Sequence, residues 1–374
     1  MGRFFFVSVW QCRNVLLFLL CQNQKNMKYQ HVSIAVLCLI SFLLSCTQEV
    51  DIYAPYKEVP IVYGLLDANA DTNYIKITRA FYALGDASQV AMNPDSSNYP
   101  GRLDARLTEY CNGEMTRVIV LDTITIYNKQ EGVFYAPAQK LYYTAENLCK
   151  NTSNSLYSYR LDVVFPHDTI STRCDIVGNS GFKEQSLAFN FSKQYFGTRR
   201  PFKFYPAINA KIYQVQMAFT FMEQRTPDSD SVPRTMIWDI CTHEDSYFSS
   251  NMDEDCYVFT YRPESFYEVL GNFIGGDTSI VGLSRFISDY PVELIITAGG
   301  DKLRKYVYYN DPANLITPGD NEFTLVDGGY GVFSSRMTRR SRLRLAGETV
   351  PDLLEMTNWG FKFIGGEKDW SVES

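Results

Sequence analysis

The sequence predicts a mainly β protein: an N-terminal Ig-like or prealbumin-like β-sandwich, then a larger antiparallel β domain carrying one or two short helices. Three observations predict it. Aromatic residues make up 15% of the 374 residues, with 26 Tyr and 25 Phe, and such side chains suit pleated, half-buried surfaces. Short apolar stretches alternate with polar positions at period two and are punctuated by Gly, Pro, Asn and Asp. Hydrophobic content of 45% against 21% charged is that of a chain that folds. The length suits two ordinary domains plus an export segment.

Residues 1–45 form the expected export segment. Phe4 to Leu20 is apolar but interrupted by Gln11, Arg13 and Asn14. A second start at Met27, taken as the true one, is followed by basic Lys28, an apolar run from Val32 to Leu44, and small Ser45 before Cys46. That is the three-part pattern of a signal peptide over 27–45. The run is shorter than the roughly 20 apolar residues a membrane-spanning helix needs. Leu43-Leu44-Ser45-Cys46 resembles the lipobox of lipoprotein signal peptidase. It predicts cleavage before Cys46, diacylglycerol on the thiol and acylation of the freed amine, an anchor that several chains make stable. Thr47 stands where inner-membrane retention is associated with aspartate, so a lipid anchor in the outer membrane is expected, its periplasmic or surface side left open. Residues 46–58 are the lipidated tether.

From 59 to 177 the pattern is short strands and turns, the expected sandwich domain. Pro60 to Leu66 is continuously apolar and closed by Asp67-Ala68-Asn69-Ala70-Asp71; in the next strand Ile75 and Ile77 share a face. Asp86 to Gly101, rich in Ser, Asn and Pro, is expected to be a long loop. Leu103, Ala105 and Leu107 alternate, and Arg117 to Leu121 is apolar and β-branched. The clearest hairpin runs through Tyr157, Tyr159, Leu161, Val163 and Phe165, turns at Pro166-His167-Asp168, and returns through Ile170, Thr172, Cys174 and Ile176. Gly178-Asn179-Ser180-Gly181 is the expected linker.

From 182 to 374 the strands lengthen. Tyr213, Val215, Met217, Phe219 and Phe221 line one face of Lys211 to Phe221, while Gln214, Gln216 and Thr220 line the other. Arg234 to Ile240, Cys256 to Tyr261, Val292 to Thr297 and Lys305 to Tyr309 are further expected strands. Pro263 opens an expected helix with Phe266, Leu270 and Phe273 at helical spacing. A second is expected from Val350 to Met356, with Thr349 as N-cap and Pro351 in its first turn.

The chemistry-bearing residues are sparse. A net charge of −7 argues against nucleic-acid binding, which needs a basic surface. Only His31, His167 and His243 occur, too few for a His-based metal site or triad, and no nucleophile elbow, phosphate loop or paired-cysteine motif is present. Asp228-Ser229-Asp230 and Asp253-Glu254-Asp255 offer oxygen ligands but not the spacing of a calcium loop. No catalytic residue, metal or cofactor is assigned beyond the lipid on Cys46. Among the later cysteines, Cys241 and Cys256 end and begin neighbouring expected strands and are the best disulfide pair; Cys111 with Cys149 is second, and buried free thiols are the alternative. Asp327 to Arg344 is the candidate partner-binding segment. Its glycines allow a tight loop presenting Tyr330 and Phe333, and Arg336, Arg340, Arg342 and Arg344 give an acidic partner a complementary approach. Arg340, Arg342 and Arg344 share a strand face opposite Leu343 and Leu345, which equally describes a solvated outer face.

These landmarks resemble a known family. Cys46 precedes Glu49-Val50-Asp51 and Val59-Pro60-Ile61-Val62-Tyr63-Gly64-Leu65-Leu66; later come Thr297-Ala298-Gly299-Gly300-Asp301-Lys302-Leu303 and Asp327-Gly328-Gly329-Tyr330-Gly331-Val332-Phe333-Ser334-Ser335-Arg336. In this order, over most of the mature chain, they are similar to the Bacteroidetes lipoprotein family called domain of unknown function 4249, or a close relative. The resemblance implies an outer-membrane lipoprotein of the cell envelope, often found beside TonB-dependent receptors, and supplies no catalytic residues. The expectation is therefore a non-enzymatic binding or assembly subunit of an outer-membrane transport or surface complex. Its expected partner is a TonB-dependent receptor or another outer-membrane protein. A glycan-binding or adhesion module using exposed aromatics, and a hydrolase with an unrecognised carboxylate pair, are the alternatives.

Overall fold

A computed structural model of the protein describes residues 59–81, 86–166, 168–178, 188–226, 228–275, 284–310, 325–346, 348–355 and 363. All belong to one compact unit, Lys57–Ser374. The export segment, Cys46, the tether, His167, Met356 and most of the expected linker lie outside the described residues. The protein is mainly β, with antiparallel and mixed sheets and few helices.

A nine-stranded sheet runs through both halves of the chain. On one side stand β1 (Pro60–Leu66), β2 (Asn73–Arg79), β6 (Gln139–Thr144) and the edge strand β5 (Asp122–Ile126). On the other stand β15 (Ser284–Gly299), β11 (Ile212–Gln224) and the edge strand β12 (Val232–Glu244). The last strand, β16 (Tyr330–Leu345), joins them. It pairs parallel with β1 from Ile61↔Tyr330 to Leu66↔Ser335, then antiparallel with β15 from Gly299↔Arg336 to Val292↔Leu343. The two-residue β9 (Ala188–Phe189) adds to its far end at Arg344 and Leu345.

Two apolar cores sit on this sheet. Val62, Leu66, Ile75, Ile77 and Tyr142 meet Leu107, Ile119, Leu161, Val163 and Ile170. The latter come from a four-stranded sheet of β4 (Glu114–Val120), β3 (Asp104–Cys111), β7 (Tyr157–Val164) and β8 (Thr169–Asp175). The second core is aromatic. The inward faces of β11, β12 and β15 pack on β10 (Arg200–Phe204), β14 (Cys256–Tyr261) and their neighbour β13 (Met252–Asp253), with Phe191 stacked on Phe266 at 4.3 Å and Phe189 on Phe202 at 4.8 Å. Offset and edge-on ring pairs of this kind add to plain area burial, which is where much of the aromatic content goes.

The helices depart from expectation in instructive ways. Asp86 to Gly101 is not a plain loop: α1 (Ala87–Ala91) and α2 (Pro94–Ser97) form there. Each has a capping side chain: Asp86 Oδ1 accepts from the Ser88 N–H at 2.9 Å and Asn93 Oδ1 from that of Asp95 at 3.0 Å. The second half holds α3 (Asp245–Ser249), α4 (Pro263–Ile274), α5 (Asp301–Asn310) and α6 (Thr349–Glu355), more than the one or two expected. In α4, Phe266 and Leu270 are buried and Phe273 half-buried, as the spacing predicts. The expected strand Lys305–Tyr309 is instead part of α5, whose start is fixed by Asp301 pairing with Arg304 at 3.0 Å and Lys305 at 2.7 Å, one turn on. Thr349 is the first residue of α6 rather than its N-cap. Its hydroxyl donates to the Ala346 carbonyl at 2.7 Å and accepts from the Phe191 N–H at 2.9 Å, tying two distant segments together.

Candidate functional site

The candidate segment on β16 divides in two. Phe333 is fully buried in the first core and Val332 is 4% exposed, so the expectation that Phe333 faces a partner is overturned. The reason is the parallel pairing with β1, which places Phe333 level with Gly64 and against its backbone. The glycines serve that approach. A Cβ on Gly331 would lie 2.0 Å from the Val62 carbonyl oxygen, and one on Gly329 2.8 Å from that of Pro60. Gly331 also has φ of 106°, which side chains disfavour. Helix α5 packs where β16 leaves β15: the Gly300 N–H donates to the Ser335 carbonyl at 3.0 Å and the Leu303 N–H to Ser334 Oγ at 3.1 Å. Of the expected contact residues in this half, Tyr330 is exposed.

Beyond Ser335 the strand turns into a surface element. Leu343 enters the aromatic core, with Leu345 and Met337 packed beside it, while Arg340, Arg342 and Arg344 are exposed on the opposite face, as the period-two pattern predicts. Arg336 is exposed at the junction. Register carries that face across four strands. One row reads Thr242, Gln214, Thr297, Thr338; the next Asp239, Gln216, Ile295, Arg340; the third Ile237, Ala218, Glu293, Arg342. A bulge on β12 between Asp239 and Cys241 keeps Asp239 on this side. Its Oδ1 accepts from Gln214 Nε2 at 3.2 Å and Gln216 Nε2 at 2.6 Å. Thr297 and Thr338 hydroxyls meet at 3.1 Å. Arg340 Nη1 donates to Glu293 Oε2 at 2.8 Å, and Arg344 lies 4.7 Å over the Tyr290 ring while Nη2 donates to its hydroxyl at 2.7 Å. Sequence reasoning identified the arginines and the polar edge of Gln214, Gln216 and Thr220. It missed Asp239, Glu293 and Tyr290, because the strand order that gathers them is not local.

A second outer face, on β1, β2 and β6, is aromatic. Tyr63 stands opposite Lys76, and Tyr74 opposite Tyr143 with their rings 6.3 Å apart. Tyr306 of α5 meets the Tyr63 ring edge-on at 6.2 Å.

The five described cysteines are free thiols, so the expected Cys241–Cys256 bridge is not formed. Cys241 lies on β12 opposite Val215 in the long sheet, whereas the hairpin after α3 carries Cys256 into the three-stranded sheet, opposite Asp253. Burial pushes the Cys241 thiol up to about 11 and raises that of Cys256, which disfavours the thiolate form in both.

Two buried charged clusters are structural. Glu109 accepts from Arg117 Nε at 3.0 Å and Nη2 at 2.9 Å, from Thr116 at 2.7 Å, and from the Tyr159 hydroxyl. Burial alone would raise its carboxyl, but these donors outweigh burial and hold it below the ordinary value. Glu223 Oε2 likewise accepts from Arg234 Nη1 at 3.0 Å and Arg285 Nε at 3.1 Å. Among the described residues no group of three or more His, Cys, Asp or Glu is placed to hold a metal ion, and no helix is long and apolar enough to cross a membrane. No family model matches the chain, and no curated protein matches it.

Proposed function

We propose that the protein is a non-enzymatic binding subunit of the bacterial outer membrane, lipid-anchored through Cys46, that engages its partner with the outer face of β12, β11, β15 and β16. One observation carries the reading. Nine of twelve register-matched positions on four strands bring Gln, Thr, Asp, Glu and Arg side chains to one face, while the other face of the same strands packs on the aromatic core. A sheet whose outer side is merely solvated needs charge for solubility; it does not need Arg340 and Arg344 held in place by Glu293 and Tyr290. The lipobox-like Leu43-Leu44-Ser45-Cys46 and the resemblance to the Bacteroidetes lipoprotein family support the anchor and an outer-membrane transport or surface complex as the setting.

The test has an anchoring arm and a binding arm. Metabolic labelling with a fatty acid marks the wild type and not Cys46→Ala; equal labelling of both contradicts the anchor. Arg340→Glu with Arg342→Glu reduces the material co-isolated from detergent-solubilised membranes, more at low salt than at high salt. A folded variant that co-isolates unchanged material contradicts the binding face. A second reading, a module for neutral glycans, is favoured by Tyr63, Tyr74 and Tyr143 on the aromatic face.

A further inference from the structure

We infer that the ligand of the β12–β11–β15–β16 face is a carboxylated polysaccharide, an inference that rests on the binding reading above. Charge selects the sign. The protein carries −7 overall, yet Arg336, Arg340, Arg342 and Arg344 are all exposed at alternate positions along one end of one strand. Glu293 offsets one of them, through Arg340, and Asp239, the other carboxylate of the three rows, stands on the far strand β12 with Gln214 and Gln216. Among the described residues Arg342 has neither an ion-pair nor a hydrogen-bond partner, and it lies between two arginines whose planes are already fixed. A guanidinium presents paired donors that match a carboxylate, and fixing its neighbours lowers the ordering cost of binding.

The rest of the face selects a polyhydroxylated polymer over an acidic protein segment. Protein interfaces are built on an apolar centre with charged residues excluded from it. Here the three rows contain Ile237, Ala218 and Ile295 as their only apolar members; Ile295 is 6% exposed and Ala218 5%, leaving Ile237 alone at the edge. What reaches solvent is amide, hydroxyl and carboxylate: Gln214 and Gln216 aligned by Asp239, Thr242, and the Thr297–Thr338 pair. These donors and acceptors suit sugar hydroxyls, and the exposed Tyr290 ring offers an apolar face beside Arg344. Four strands about 4.8 Å apart give a face on the order of 14 Å across, wide enough for several sugars of an extended chain.

The experiment is affinity electrophoresis of the full lipidated chain in detergent through gels holding polygalacturonate, neutral dextran or poly-glutamate. Polygalacturonate retards the wild type, dextran does not, and poly-glutamate retards it at least about tenfold less. Arg342→Gln, which removes a side chain without a hydrogen-bond or ion-pair partner among the described residues, weakens retardation about tenfold at low salt and leaves the melting temperature unchanged. No retardation by polygalacturonate overturns the inference. So does equal or stronger retardation by poly-glutamate, which would assign the face to an acidic protein, and so does retardation unaffected by Arg342→Gln. In each of those cases loss of co-isolated envelope material in the Arg340→Glu, Arg342→Glu variant still stands by itself, so the two readings fail separately.

Discussion

The first six residues of β16 and the ten that follow are one continuous strand with opposite duties. Tyr330–Ser335 runs parallel to β1 and from Gly331 on is buried, by the first core beneath and by α5 beside it. From Arg336 on, the strand runs beside β15, buries one side and gives the other to solvent. The composition follows. The first stretch is Tyr, Gly, Val, Phe and Ser with no charge; the second places arginine at every outward position from Arg340 to Arg344. The lesson is that charge on a strand is informative only once the partner on each edge is known.

Gly331 is where that division breaks most completely. Gly331→Ala puts a Cβ 2.0 Å from the Val62 carbonyl oxygen at a φ of 106°. Neither backbone can yield without losing the β1–β16 pairing, so the expected loss exceeds about 4 kcal/mol, measured by urea unfolding. Gly328→Ala is the control: its Cβ meets nothing closer than Ile170 at 3.5 Å, and its positive φ costs only about 1–2 kcal/mol.

Glu109 sharpens the contrast from the other side, as a charge that is structural. Glu109→Gln leaves Arg117 without its buried ion partner and is expected to cost about 3 kcal/mol at neutral pH. The pH dependence has a definite sign. The folded carboxyl titrates below its ordinary 4.5, so its contribution is fully present above that value and is lost as pH falls through the lower folded value. Acid unfolding curves of wild type and Glu109→Gln converge below pH 4.5; curves that stay parallel through that range refute the assignment.

Much of this architecture is legible in the residues, and the gaps have physical causes. Pro60–Leu66 and Cys256–Tyr261 match their strands because an apolar run ends at turn formers, and α4 follows from Pro263 and the spacing of Phe266, Leu270 and Phe273. Lys305 to Tyr309 misleads because α5 buries no residue, so no helical stripe is imposed on it. The Cys241–Cys256 pairing fails because closeness in sequence says nothing of which sheet each strand joins. The glycines around Phe333 suggest a loop that presents it outward. Those glycines admit a neighbouring backbone instead, and that neighbour, β1, lies at the opposite end of the described chain. The proposed binding face is half legible: alternation shows which side chains point out, and only the order β12–β11–β15–β16 shows that they point out together.

The most direct test of a strand divided at Arg336 is the urea unfolding free energy of the double variant Arg340→Gln, Arg342→Gln. Arg340 and Glu293 form an exposed pair, and Arg342 has no partner among the described residues. The expected change is within about 1 kcal/mol, the scale of a surface ion pair. A loss of about 3 kcal/mol or more would mean that these arginines hold the sheet together, and would contradict the assignment of this half of β16 to binding.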